Sequence, residues 1–398
     1  MPEPSQSRSS RLSTARREDE RVTPLELFFD LVFVLAITQC TALMSHHPTW
    51  AGLAQGLLVL GVLWWGWVGY SWLTSVIDPE EGLVRLAMFA AMAALLIVSL
   101  CVPEAFGRLA LTFALAYGVF RLAHIALFML ASRDDAALRR SIVGFTVSAT
   151  LGISLLVVAS LFDGLAQAAL WALALFLDMA GPYFAGSDGW KLEPGHFAER
   201  HGLIVIIALG ESIVAIGAAA AGSLSLGIGT AAVLGVVLAA ALWWAYFDVV
   251  ALVSARRMAL TEPGRTRNEM ARDSYSYIHL AIVAGIVLAA LGLKTTIGHF
   301  DAHLHTVAAF ALLGGVAVYL LGLVGFRYRH VHTIQRQRLG LAIALLILVP
   351  VATELPALAS LAVVDALIWA LIAYDTRSYG EGRDRVRHHD AIRHTPTS

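Results

Sequence analysis

Residues 22–39 read VTPLELFFDLVFVLAITQ, an apolar run that opens with two carboxylates, Glu26 and Asp30, one helical turn apart. From Leu31 to Met44 no further charge interrupts it, so the run has the composition and length of a helix crossing a hydrocarbon core of roughly 30 Å at 1.5 Å per residue. Within Thr23-Pro24-Leu25-Glu26 the threonine suits an N-cap, the proline the first helical position and the glutamate the N3 position, so a capping box accounts for Glu26 without chemistry. Its carboxylate also faces the positive end of the helix dipole, and a functional role for Glu26 stands beside that structural one. Asp30 lies about 9 Å in from the helix start, beyond the capping groups, and must face protein or water. Glu26, Asp30, Phe33, Ile37 and Thr41 fall on one helical face, which is expected to look inward, away from Leu31 and Leu35.

The rest of the chain repeats this composition. Of its 398 residues 58% are hydrophobic and 14% charged, and the mean hydropathy is +0.72. Charges collect in the tails and in a few short segments, leaving apolar runs that water would not tolerate. The expected fold class is therefore an all-α polytopic integral membrane protein with the lipid bilayer as its partner. About twelve spans are expected, near residues 24–44, 50–77, 83–103, 109–131, 141–161, 165–185, 200–221, 227–253, 275–297, 304–326, 339–355 and 357–375. Residues 1–22, rich in Ser and Arg with no apolar stretch, read as a disordered tail rather than a signal peptide, and 376–398 as a second tail. The formal net charge of −1 gives no electrostatic case for nucleic acid. Cys40 and Cys101 lie inside apolar runs and read as small buried hydrophobes.

Basic residues alternate as this count requires. Arg8, Arg11, Arg16, Arg17, Arg21, Arg85, Arg133, Arg139, Arg140, Lys191 and Arg200 fall on the side of the N-terminus, with the Arg256–Arg272 loop, the RYRHVHTIQRQR loop and the C-terminal tail. The other side carries Arg108 and Lys294. Both termini are thus expected in the cytoplasm. Collinear echoes suggest a parallel duplication into halves 23–186 and 187–375: LWWGWVGYSW from Leu63 faces LWWAYFDVVA from Leu242, RLAMFAAMAAL from Arg85 faces HLAIVAGIVLA from His279, TFALAYGV from Thr112 faces AFALLGGV from Ala309, and LALFLDM from Leu173 faces ALIAYDT from Ala370.

An ionisable side chain within a span costs about 2.5 to 3.5 kcal/mol even on the lenient insertion scale, so each needs a partner, a cavity or a job. In HFAERHGLIVIIALGESIVAIG, Glu199, Arg200 and His201 are expected at the cytoplasmic mouth, with Glu211 about three turns deeper. Gly202, Gly210 and Gly217 would permit close packing of that helix against another. Arg121 stands mid-span with His124 a turn away and needs an anion; Asp30, Glu211, Asp178 and Asp365 are the candidates. Asp178 precedes Gly181 and Pro182, where a break in the sixth helix is expected to open backbone groups to a cavity. Asp248 and His279 are expected at hydrated helix ends. The deep set of Asp30, Asp178, Glu211 and Asp365 against Arg121 is an excess of acid. A carboxylate in a low-dielectric site exchanges protons near neutral pH or, when ionised, holds a small cation, so proton or cation handling is expected.

His299, Asp301, His303 and His305 stand at alternate positions of an external loop, a spacing open to Zn²⁺ if the loop is extended, although solvent exposure is the commoner fate of such histidines. RHHDAIRH in the C-terminal tail reads as solvated. No nucleophile elbow, P-loop, HExxH or dinucleotide fingerprint occurs in a fitting context, so neither catalysis nor a cofactor is expected. Nothing in the pattern specifies an oligomeric state.

Two motifs in combination, Thr23-Pro24-Leu25-Glu26-Leu27-Phe28-Phe29-Asp30-Leu31-Val32-Phe33-Val34 and His196-Phe197-Ala198-Glu199-Arg200-His201-Gly202 through Leu209-Gly210-Glu211-Ser212, resemble the bacterial low temperature requirement protein A family across nearly all spans. That resemblance implies a multi-pass protein of the bacterial cytoplasmic membrane. A fainter similarity is to the two-repeat endolysosomal potassium channels and their six-helix bacterial relatives, whose first helix carries Phe-Ser-Asp followed by an apolar run to Ala-Ile-Thr. Here the stretch is Phe28-Phe29-Asp30 to Ala36-Ile37-Thr38, with Phe29 in place of the serine and Leu203 in the place of Asp30 when Glu199 is set against Glu26. Three functions are expected in turn. The first is a proton- or cation-coupled transporter using Asp30 and Glu211 with Arg121 as movable counter-ion. The second is a cation channel lined by helices 1 and 7. The third is a non-transporting scaffold or lipid-interacting protein in which the charges lock helix packing.

Overall fold

The computed structural model describes residues 21–378 apart from 185, 187–188 and 222–224. The first and last stretches of the chain, read above as tails with their basic and histidine runs, lie almost wholly outside the described residues. Among the described residues twelve long helices carry the fold: α1 Pro24–His46, α2 Trp50–Thr74, α3 Gly82–Glu104, α4 Ala110–Ala131, α5 Ala136–Ala159, α6 Gly164–Phe184, α7 Pro194–Ala220, α8 Leu226–Leu260, α9 Arg265–Gly298, α10 Thr306–Val331, α11 Arg336–Ala352 and α12 Ala357–Ser378. Eleven of them are long and apolar enough to cross a membrane. α11 has 17 residues, with Pro350 inside its last turn, and packs between α10 and α12. The chain is thus an all-helical polytopic membrane protein.

The outer helices show why lipid is the surrounding solvent. Leu83, Leu86 and Leu100 on α3, Leu165 and Phe176 on α6 and Ile347 on α11 are exposed, a surface that only hydrocarbon covers without cost. α2 is enclosed, and its Trp64, Trp67 and Tyr70 are among the largest buried side chains. In each half the helices pack in the same order. The first meets the second and third, the third the fourth, the fourth the fifth, the fifth the sixth, and the sixth returns to the second. The halves join where α1 and α2 meet α7 and α9.

Several helix starts and turns differ from the sequence reading. α5 begins five residues earlier than expected, at Ala136, and so takes in Arg139 and Arg140, because Asp135 caps it by accepting from the N–H groups of Ala137 and Leu138. α7 begins at Pro194 rather than near residue 200, since proline suits the first turn, and this draws His196 and Arg200 inside the helix. α6 runs unbroken through Pro182; the expected break near Asp178 does not occur. Gly210 and Gly217 face open space, and Gly202 only meets the Phe247 ring, so these glycines do not serve close helix approach. That role belongs to Gly285 and Gly292 of α9, where an added Cβ would fall 2.5 Å from the backbone of Tyr319 and Leu312 on α10. Both of those helices carry a π-helical segment, at Arg272–Ile278 and Phe310–Gly314, which rotates the side chains beyond it.

Candidate functional site

The capping box at the start of α1 forms as the sequence implies: the Thr23 side chain accepts from Glu26 N at 3.3 Å, and Glu26 Oε2 accepts from Thr23 N at 2.9 Å. Glu26 is nevertheless more than a cap. Its Oε1 takes His196 Nε2 at 2.9 Å and Arg200 Nη1 at 2.9 Å, both from α7. The same guanidinium reaches Asp30 Oδ1 at 3.2 Å through Nη2 and donates to Thr74 Oγ1 on α2. Trp67 Nε1 donates to Asp30 Oδ1 at 2.8 Å. Glu26, Asp30, His196, Arg200 and His201 are each 0% exposed, so the cluster sits in a buried seam between the halves.

Local sequence places these groups. On α1 the four-residue spacing puts Glu26 and Asp30 on the face shared with Phe33, Ile37 and Thr41, all buried, while Leu31 is exposed, as the helical pattern required. On α7, His196 and Arg200 are likewise four apart and meet that face. Arg200 lies 5.7 Å from the Phe29 ring centroid and 5.6 Å from that of Trp67, so aromatic faces flank the cation. Asp30 Oδ2, Arg200 Nε and His201 Nε2 have no hydrogen-bond partner among the described residues.

Arg200, expected at the cytoplasmic mouth, is fully buried, so the buried charges include a further arginine in addition to Arg121. The mouth position belongs to Glu199, exposed, whose Oε2 accepts from Val22 N at 3.1 Å. His201 is not at the mouth either; it packs edge-on to Trp67 at 4.9 Å, with Nδ1 on the Phe197 carbonyl. His279, expected at an interface, is fully buried: the π segment before it turns its ring inward, 5.4 Å from His201, where Nε2 meets the Tyr246 hydroxyl at 2.8 Å.

The remaining candidates separate into three places. Arg121 takes Asp178 as its anion, with Nη2 at 2.9 and 3.0 Å from the two carboxylate oxygens, and Asp30, Glu211 and Asp365 are not its partners. His124 packs on Gly69 beside this pair, in the wall of a cavity of about 40 Å³ that also touches Trp65 and Asn268. Glu211 lies on α7 about 16 Å beyond Arg200 at 1.5 Å per residue, and accepts from Thr38 Oγ1 of α1 at 2.5 Å. The charges proposed from sequence as one network with Arg121 at its centre are therefore distinct sites, because α4 faces α2 and α5 rather than the α1–α7 seam. Asp365 on α12 is buried with neither oxygen partnered among the described residues.

His299, Asp301, His303 and His305 are not gathered. The loop folds back so that His303 pairs with Pro356 and its ring meets the Thr353 carbonyl, while His299 turns to Thr295. No group of three or more metal-ligating side chains occurs among the described residues. His196, Trp67, Thr74 and Thr38 were missed by sequence reasoning. The signal for His196 was its four-residue spacing to Arg200, visible once Pro194 is taken as the first helical residue.

Comparison with known proteins places this arrangement. A curated protein of Rhizobium meliloti (strain 1021), described as the uncharacterized protein RA0937, is 32% identical over 311 residues, covering 75% of each chain. No solved structure matches. The profile of the bacterial low temperature requirement A protein (LtrA) family matches residues 21–373, which takes in α1, α7, Arg121, Asp178 and Asp365, and the chain belongs to that family.

Proposed function

We propose that the chain is a proton- or small-cation-coupled transporter whose coupling site is the α1–α7 seam. One observation carries the reading: two buried carboxylates, Glu26 and Asp30, share the single guanidinium of Arg200. Two carboxylates sharing one guanidinium in a low-dielectric seam offer a place where a proton or a small cation can bind and leave. Ser75 Oγ donates to the Ser71 carbonyl at 3.0 Å and lies 3.5 Å from His196 Nδ1, which joins His196 to the end of α2. About 12 Å further along α1, Thr38 and Glu211 form a second polar step on the same two helices.

Protein reconstituted in liposomes with a trapped pH dye and an imposed potential is expected to show proton flux that Asp30→Asn and Glu211→Gln reduce at least tenfold. Flux equal to wild type in both variants would sink the proposal. The seam is closed by the Arg200 ion pairs, which favours a coupled carrier over an open channel; steady single-channel conductance in planar bilayers would reverse that preference.

A second reading, a non-transporting scaffold, draws support from the complete capping box and from the closed Arg121–Asp178 pair. It predicts that the same neutral variants lose stability rather than flux. The proposal assigns the protein to the bacterial cytoplasmic membrane with both termini inside, supported by the alternation of basic loops. It also includes a parallel duplication, supported by the matching packing order of the two halves.

A further inference from the structure

The Arg121–Asp178 clamp has a counterpart in the second half. Arg338, in the first turn of α11, directs Nη2 and Nε at Asp375 Oδ2, 3.3 and 3.4 Å away, while Nη1 donates to the Ala245 carbonyl at 3.1 Å. In the first half Arg121 Nη1 donates to the Trp65 carbonyl at 3.4 Å. Each arginine thus ties an aspartate of its half's sixth helix to a carbonyl at or beside the paired tryptophans of the second helix, Trp64-Trp65 in one half and Trp243-Trp244 in the other.

The surroundings of the clamps differ. Arg121 is fully buried, 5.0 Å from the centroid of the Phe145 ring. Arg338 and Asp375 stand in the wall of a cavity of about 410 Å³, inside the range of roughly 300–1,000 Å³ for small-molecule sites. At 3.3 and 3.4 Å the pair is longer than the 2.7–2.9 Å of a close charge-assisted contact. Arg327 and Asp248 line the same cavity, giving two charges of each sign. A ligand of one sign would satisfy one partner and strand the other. A ligand with both signs replaces a long ion pair by two short ones.

We propose that this cavity binds a small zwitterion that offers an anionic oxygen group to Arg338 and an ammonium to Asp375. The lining comes from residues 244–253 of α8, the last turns of α10 and α12, the connection at 333–335 and the start of α11, all at one face of the bundle. Two sources share this chemistry at that depth: a free amino acid, and the headgroup of an ethanolamine phospholipid. The site is separate from the α1–α7 seam, and the inference stands whether or not that seam moves protons.

The test uses the purified full chain in detergent. Calorimetry with glycine and with phosphoethanolamine reads the free source; native mass spectrometry with phosphatidylethanolamine against phosphatidylglycerol, which lacks the ammonium, reads the lipid source. Wild type is expected to bind a zwitterion in one arm, with at least a tenfold preference for the ethanolamine lipid if the lipid arm responds. Asp375→Asn is expected to weaken that binding at least tenfold, as is Val253→Trp, which fills the apolar wall without touching the clamp. Should Asp375→Asn fail to fold, the Val253→Trp result decides. Binding in the glycine arm alone assigns a solute, and retention in the lipid arm alone assigns a headgroup. The proposal is overturned if no zwitterion binds in either arm, or if the folded variants bind as wild type does.

Discussion

The Arg200 cluster and the Arg121 pair are both buried, both built on an arginine, and opposite in design. Arg121 meets one carboxylate, Asp178, in a two-oxygen grip between α4 and α6 of a single half. Arg200 is shared between Glu26 and Asp30 across the boundary of the halves, with His196 as third party. The first arrangement is electrically closed and lies within one packing unit. The second shares one guanidinium between two carboxylates, with a histidine beside them, and lies where two packing units meet. The comparison sets a charge pair held inside one half against a charge cluster shared between the halves, and the proposed function assigns the change of state to the second.

The largest expected effect breaks the closed pair. Arg121→Gln leaves Asp178 buried with no counter-ion, and the unfolding free energy in detergent is expected to fall by about 3–5 kcal/mol. Proton flux per folded molecule should be unchanged. The double variant Arg121→Met with Asp178→Leu removes both charges at similar volume and is expected to recover most of the loss. If flux falls in the folded fraction of the single variant, the distinction between the two arginines fails.

Next comes Asp30→Asn in the open cluster. Asparagine can still accept from Trp67 Nε1, so the stability loss should stay near about 1 kcal/mol. Flux is expected to fall at least tenfold, equivalent to about 1.4 kcal/mol in the barrier. A smaller effect is expected from Thr38→Val, which removes the donor to Glu211; hydrogen bonds between membrane helices are worth about 0.6 kcal/mol on average. The readout is a modest drop in flux with a thermal midpoint close to wild type.

How far these two regions were legible from sequence depends on which forces are local. The capping box, the inward face of α1 and the twelve-helix count were readable, because cap chemistry and the 3.6-residue period act within one helix. The partner of Arg121 was not readable, since four carboxylates stood at plausible depth and only the packing of α4 against α2 and α5, with α6 beside them, selects Asp178. Arg200 was misjudged because the apolar run of α7 starts after it, whereas the helix starts at Pro194 and carries the arginine inward to meet α1. His279 was misplaced for a related reason: a π segment adds a residue to the turn and rotates the next stretch of helix, and hydropathy does not register that rotation.

A third ion pair completes the scale on which the first two sit. Asp135 caps α5 and lies outside the spans, with Oδ2 2.8 Å from Lys191 Nζ; the lysine is about half exposed at 51%. The hydrogen bond from Lys191, followed by the N–H of Leu138, holds the Asp135 carboxyl below its ordinary value. A group whose folded value is depressed adds stability that is present above the unfolded carboxylate range and is lost as pH falls through the folded value. Asparagine caps a helix as well as aspartate does, so Asp135→Asn isolates the charge from the cap. At neutral pH the variant is expected to be less stable by no more than about 1 kcal/mol, since water and salt screen the pair. That difference should shrink with added salt and vanish below the lowered Asp135 value, as tracked by thermal unfolding from neutral to acid pH. A pH-independent difference would mean that packing, not charge, joins Asp135 to Lys191. Buried Arg121 should show no such salt dependence, because screening ions do not enter the dry interior where its charge is closed.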